Sequence, residues 1–462
     1  MSLFICWLDK IDAFLWSYLL LFLLAATGIW LTIRLKGLQL RSLPYALKLA
    51  FGSRPTHDKG DISHFQALMV ALAATIGMGN IAGVATAVAL GGLGALFWMW
   101  VLALLGMATK YAEGVLAIKY RTFNDKGEVS GGPMYYIEKG LGWKWLAVAF
   151  ALFGATSALG TGNLVQSNSV AQALGTFGVA PMTTGMILVI LVGIVTLGGV
   201  KTIGRVSSVV VPVMAALYIV MGLIILFVHA DRIPSALDLI LTSAFTGHAA
   251  FGGFAGATML MACQYGAARG IFSNESGLGT APIAAAAART DAPSRQALVS
   301  MTGTFLDTII VCSITGLVIA VTGVLGEVDA SGKVLTGVSM TMVAFNSVLP
   351  YGDILLTIAV FLFAYSTIVG WAYYGEKCCE YLLGERSVIY YRVLYTLVVI
   401  PGSLLGLQLV WTVADITNAL MAFPNLIGLL FLSGVVVKET KAFSALRRHE
   451  RELAKLPPSA CE

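Results

Sequence analysis

The chain has 462 residues, of which 58% are hydrophobic and only 11% charged, with a mean hydropathy of +0.85. A soluble globular domain carries about 25% charged residues, so this surface cannot be covered with groups that favour water. The bilayer is the expected solvent, and the formal net charge of +5 is spread between apolar segments rather than gathered into a nucleic-acid-binding face.

A helix crosses the hydrocarbon with about 20 apolar residues. In chain order the sequence predicts eleven spans: 14–35, 66–90, 93–118, 144–173, 182–200, 205–229, 250–288, 296–325, 353–382, 388–408 and 411–437. With the N-terminus outside, the segments 34–64, 119–144, 201–205, 289–295, 377–392 and 438–455 face the cytoplasm and hold 24 Lys and Arg. The opposite side holds Lys10, Arg232 and Lys333. This asymmetry predicts an N-out, C-in topology and checks the span count, because one span more or fewer would scramble it. The first span lacks a short apolar core with a small-residue cleavage site, so it reads as a retained helix. The division expected is 1–65 (first helix and cytoplasmic loop), 66–437 (a ten-helix core) and 438–462 (a basic tail, read as an anchor on anionic lipid). The loop 119–143, with "SGGPMYYIEKGLG", reads as ordered turns followed by a short interfacial helix. The six cysteines are scattered and read as buried structural thiols.

Two spans contain residues that a helix in lipid should avoid. The second carries "AATIGMGNIAGVA" (73–85), and the seventh carries "YGAARGIFSNESGLGTAP" (265–282). With the first helix set aside, these breaks open core helices one and six, in halves of opposite topology. Matched interruptions of this kind point to an inverted-repeat transporter. A break leaves N–H and C=O groups unpaired at a cost of several kcal/mol each unless something satisfies them. Carbonyls ending one half-helix suit a cation, and amides opening the next suit an anion. An amino acid zwitterion offers both charges. As a dinucleotide-binding loop, "GMGNIAG" has the wrong spacing and no preceding strand. Gly79 and Gly83 also form a GxxxG pair that could serve helix packing, which leaves Asn80 and the second break unaccounted for.

Acidic residues within spans are functional candidates. Glu113 and Asp415 read as interfacial, and Glu275 as a brace for the second break. Asp307, deep in core helix seven, could hold a cation or proton or pair with another polar group. Gln166 on core helix three is either helix–helix glue or part of a pocket. On core helix eight, Thr367 and Trp371 share a face, and the hydroxyls of Ser366 and Thr367 suit a small hard cation. The five histidines lie in loops or near span ends, with no catalytic motif, so a membrane enzyme is not expected. An ion channel usually builds its pore from symmetric subunits, against which the paired breaks in one chain argue.

"GGLGALFWMWVLALLG" (91–106), with "GNIAGVATA", "GGPMYY" and "FSNESGLGTAP", resembles the alanine or glycine:cation symporters over essentially the whole chain. The resemblance implies an all-α polytopic membrane protein with a LeuT-type five-plus-five inverted repeat and one extra N-terminal helix. It implies symport of a small neutral amino acid with sodium, or sometimes protons, across a bacterial or archaeal inner membrane. Some relatives handle glutamine. No obligate protein partner and no nucleic acid are expected. Carried over residue by residue, Thr75, Gly77, Gly79, Asn80, Gln166, Phe272, Ser273, Asn274, Thr367 and Trp371 would hold the substrate. Backbone oxygens near Ala74 and Gly77, with the hydroxyls of Ser366 and Thr367, would hold sodium. Met78 departs from the Thr or Ser that the family carries there. Trp371 favours a small pocket, for glycine or alanine.

Overall fold

The computed structural model describes residues 2–52, 59–124, 127–246, 258–329 and 332–453. Helices dominate. The N-terminal helix is α1 (Ser2–Phe14), a π turn (Leu15–Leu19) and α2 (Leu20–Arg34), so it begins well before the predicted residue 14. Short helices α3 (Leu38–Arg41) and α4 (Leu43–Phe51) lead to α5 (His64–Thr75). There Ser63 and Gln66 form a reciprocal capping box, which satisfies two otherwise orphaned amides. After a break, a π turn (Gly79–Gly83) and α6 (Val84–Gly91) complete the second predicted span, bent by 50°. Then follow α7 (Gly94–Lys119), a two-stranded hairpin (Thr122–Phe123 with Val129–Ser130) and α8 (Pro133–Leu141). The span α9 (Lys144–Leu159) passes through a π turn into α10 (Val165–Gly175), followed by α11 (Pro181–Thr196), α12 (Gly199–Val228) and α13 (Ile233–Thr246).

The seventh predicted span begins inside 247–257, outside the described residues, and continues as α14 (Met259–Asn274), a break, and α15 (Ala281–Ala286). Next come α16 (Pro293–Thr304), a π turn (Phe305–Cys312), α17 (Ser313–Thr322), α18 (Gly337–Asn346), α19 (Gly352–Leu383), α20 (Ser387–Leu404) and α21 (Leu407–Leu453). Among the described residues, seven helices are long and apolar enough to cross a membrane, or eight if the bent pair counts as one. The shorter α2 and α11 are also apolar. Side chains such as Ile190, Ile194 and Phe227 remain exposed, as lipid-facing residues do, while the polar residues of the breaks lie in the centre.

The described part of the tail, up to Leu453, is no separate body. It continues α21 without interruption, and Lys119–Glu439 and Arg295–Glu450 tie it to α7 and α16 at 2.8 and 2.5 Å. The interfacial helix expected after Pro133 is present as α8. Its Met134, Tyr136 and Ile137 are fully buried, so it plugs the bundle rather than lying on it.

Candidate functional site

The first break starts where α5 stops. Ile76 turns extended (φ −75°, ψ 91°), which ends the helical ladder and frees the last carbonyls of α5. Asn80 then caps the next half: its Oδ1 accepts from the Gly77 amide at 2.9 Å, and its own amide donates to Gly77 O at 3.2 Å. Gly77 is required by space. A Cβ there would lie 2.3 Å from Thr367 Oγ1 and 3.4 Å from Gln166 Oε1. These three residues therefore meet, although they come from α5–α6, α10 and α19.

Gln166 is engaged at both ends of its amide. Its Oε1 accepts from the Met78 amide at 3.3 Å, and its Nε2 donates to Thr161 O at 3.0 Å. The second contact is with a carbonyl of the π turn Gly160–Leu164. That turn also seats Trp371, since a Cβ on Gly162 would sit 2.2 Å from Trp371 Cβ. Asn163, which shares Gln166's helix, instead donates to Tyr395 O at 2.6 Å and leaves the site.

At the second break α14 ends on Asn274, and Glu275 takes a left-handed conformation (φ 57°), uncommon for a residue with a side chain. Gly277 (φ 91°) and Gly279 (φ 83°) keep the chain unwound. Thr280 Oγ1 donates to Glu275 Oε2 at 2.6 Å, so Glu275 braces the break as its position suggested. Phe272 stacks on Trp411 at 4.9 Å between centroids, and Gly79 brings the first break against the second, since a Cβ there would be 2.9 Å from Ser273 Cα.

Asp307 joins the breaks. Its carboxylate accepts from Asn80 Nδ2 at 2.7 Å, from Ser273 Oγ at 2.9 Å and from Thr308 Oγ1 at 2.8 Å. Asn274 Nδ2 donates to Thr308 Oγ1 at 3.0 Å. Donors from three elements thus satisfy the oxygens of this buried carboxyl group. Of the two readings open for Asp307, pairing with polar groups is what the geometry displays. Cys312 Sγ lies 3.3 Å from both Ser273 Oγ and Asn80 Nδ2.

The two hydroxyls assigned to sodium point apart in this structure. Thr367 Oγ1 faces Ile76 O at 3.5 Å. Ser366 Oγ donates to Phe363 O at 2.9 Å and lies 3.2 Å from Met214 Sδ. Ala74 packs against Gly370 on α19, with its nitrogen 2.8 Å from a Cβ built there. Met78 is fully buried. Thr75 Oγ1 is spent on Ala71 O at 3.0 Å.

Two acids differ from their sequence reading. Asp415 is no interfacial residue: it forms a two-point pair with Arg269 at 3.1 and 2.7 Å, and Arg269 lies over the Trp411 ring at 4.9 Å. Glu113 is fully buried, with Oε1 accepting from Asn425 Nδ2 at 2.6 Å and the Gly279 amide at 3.2 Å. A hydrophobic window alone places such acids at span ends because it cannot see the partner helix. Sequence reasoning also passed over Lys110, whose buried Nζ donates to Asn274 O at 2.6 Å. Its signal was a charged Lys–x–x–Glu pair one helical turn apart inside an apolar span.

The fold is of the LeuT type. In a comparison of folds, the crystal structure of MhsT in complex with L-phenylalanine matches with a TM-score of 0.58 at 16% identity, covering 81% of this chain and 89% of that one. The chain belongs to the sodium:alanine symporter family, whose model matches residues 1–456. It is 54% identical over 457 residues to the sodium/alanine symporter AgcS of Methanococcus maripaludis, covering 98% of this chain and 100% of that protein. It is 38% identical to a Bacillus subtilis protein named as a probable sodium/glutamine symporter, GlnT, over 95% of this chain and 89% of that one. The family is one of symporters, not enzymes.

Proposed function

We propose that this protein imports a small neutral amino acid, alanine or glycine, together with sodium by alternating access. Eleven spans, N-terminus outside and C-terminus cytoplasmic, place the ten-helix core 66–437 as two inverted five-helix repeats. The observation that carries the reading is the convergence of both breaks with Gln166, Thr367 and Trp371 in one buried site. The unwound backbone at Gly77, Gly79 and Asn80, with Ser273 and Asn274 opposite, suits a zwitterion once the Gly77 amide exchanges Asn80 Oδ1 for the substrate. Phe272 and Trp371 wall off the side chain and favour a small one. Backbone oxygens of Ala74 and Gly77, with the hydroxyls of Ser366 and Thr367, are hard donors of the kind sodium takes, and filling that site requires Ser366 to turn from Phe363.

Sodium and substrate must both favour the same occluded state for their movements to be coupled. One positive charge moving inward through 100 mV releases about 2.3 kcal/mol. That supports a substrate gradient of roughly 50-fold. A proton-coupled version has one observation in its favour, the buried Asp307 carboxylate between the breaks.

Uptake of radiolabelled alanine into proteoliposomes under an inward sodium gradient, against an equal potassium gradient, tests the proposal. Sodium-dependent accumulation that Gln166→Ala abolishes is the expected result. Uptake indifferent to sodium and tracking external pH replaces the ion with a proton. Accumulation surviving Gln166→Ala removes that residue from the site. No uptake of alanine or glycine, with glutamine transported, replaces the substrate.

A further inference from the structure

Lys110 and Glu113 lie one turn apart on α7 and address the two sides of the second break. Lys110 Nζ donates to Asn274 O at 2.6 Å, the carbonyl end of α14. Glu113 Oε1 accepts from the Gly279 amide at 3.2 Å, just ahead of α15. A helix end rich in free carbonyls carries partial negative charge and the start of the next carries partial positive charge. Each side chain therefore faces the end of opposite sign. Both are fully withdrawn from solvent, where such interactions are little screened.

The network continues from Glu113 away from the substrate site. Asn425 on α21 donates to Glu113 Oε1 at 2.6 Å and to Gly277 O at 2.8 Å. Tyr136 on the plug helix α8 donates its hydroxyl to Asn425 Oδ1. The plug is seated directly on α15, because a Cβ on Gly132 would lie 2.7 Å from Ile283 Cγ1 and one on Gly279 would lie 2.6 Å from Pro133 Cγ. Arg121, beside the plug, donates to the last carbonyls of that segment, Ala286 O and Ala288 O, at 3.0 and 2.8 Å.

We propose that Lys110 and Glu113 are positioning residues that clamp the break between α14 and α15, and that Glu113 passes the state of the break through Asn425 and Tyr136 to the plug helix, the inner gate. The proposal rests on the transport reading for its purpose, but not on the identity of ion or cargo. While the break holds its shape, Asn425 keeps Tyr136 and the plug is latched. Movement of the break, with Gly277 and Gly279, away from α7 takes Gly277 O from Asn425 and the Gly279 amide from Glu113, and frees the plug.

Amide hydrogen exchange on the purified full-length protein tests the link without any substrate. Tyr136→Phe keeps the ring and deletes the last hydrogen bond of the chain. It is expected to raise exchange about fivefold both in 133–141 and in 277–286, the effect of one lost bond shared by a cooperative unit. Glu113→Gln is expected to raise both segments further. In proteoliposomes, Tyr136→Phe is expected to lower the accumulated-to-external ratio of alanine while alanine counterflow stays at the wild-type level, which a merely structural lesion would not do. Exchange that rises in 133–141 alone overturns the latch, as does a Tyr136→Phe variant whose accumulation and counterflow fall together. If Glu113→Gln does not fold, Tyr136→Phe alone decides. Wild-type protein that transports no alanine but shows the linked exchange keeps the clamp and removes the proposed cargo.

Discussion

At the scale of the residue, the site is shaped as much by what is missing from glycines as by what projects from other side chains. Gly162 exists because the Trp371 side chain occupies its Cβ position, at 2.2 Å from Trp371 Cβ. A methyl there must push the indole, backbone and all, out of its present seat. Gly162→Ala is therefore expected to raise the half-saturating concentration for alanine at least about tenfold, the effect of about 1.4 kcal/mol of displaced packing. Glycine uptake, with no side-chain methyl to accommodate, should suffer less. Uptake kinetics for the two amino acids in one preparation check this, and equal losses for both would remove Trp371 from the wall. Glycine spacing made the breaks legible in the sequence, and Thr367 does meet Gln166 across Gly77. The sequence did not reveal that Thr75 Oγ1 is consumed within its own helix, or that Ser366 turns toward Met214. Those outcomes depend on side-chain orientation, which spacing on one helix leaves free.

At the scale of the element, each broken helix is held by residues from helices distant in sequence. The Arg269–Asp415 pair joins α14 to α21 over the Phe272–Trp411 stack, on the side of the site opposite the plug. Removing one partner of a mostly buried pair strands the other charge and costs about 3 kcal/mol. Asp415→Asn is therefore expected to lower the unfolding temperature markedly in detergent. The double variant Arg269→Met, Asp415→Leu should recover most of that loss, because both charges then leave together. A double variant as unstable as the sum of its singles would show that the pair is not what holds these helices. The existence of the two interruptions was read correctly from Gly, Asn and Ser in apolar runs. The partners that support them, Lys110, Glu113 and Asp415, were passed over or placed at interfaces, because a helix-by-helix hydropathy reading contains no information about which faces meet.

At the scale of the whole molecule, the ordering of ion pairs sets what holds the C-terminal end of α21. Arg295 is almost wholly buried and faces both Asp291 and Glu450, whereas Lys119 of the Lys119–Glu439 pair is about half exposed. An exposed pair contributes about 0.5 kcal/mol. Glu450→Ala should cost more, about 1–2 kcal/mol, with Asp291 limiting the damage by keeping its own two-point contact at 2.7 and 2.9 Å. Thermal unfolding of Glu450→Ala beside Glu439→Ala measures the difference, and the reverse order would show that the tail is not fastened at Arg295. The all-helical, membrane-embedded character was evident from composition, and the family from short motifs. The plug's depth was not, because "GGPMYYIEKG" has the amphipathic look of a surface helix while its apolar face is enclosed by α9 and α21.

The helix α21 has 47 residues. At 1.5 Å per residue it is about 70 Å long, more than twice the roughly 30 Å of hydrocarbon. Asp415 and Asn425 stand on this one shaft about 15 Å apart, the first engaged with Arg269 on α14 and the second with Gly277 O in the break that follows. The two stations shift together unless α21 bends between them. Its weak point is Pro424, which removes a backbone hydrogen bond immediately beside Asn425. A bend at that joint would let one station release while the other holds.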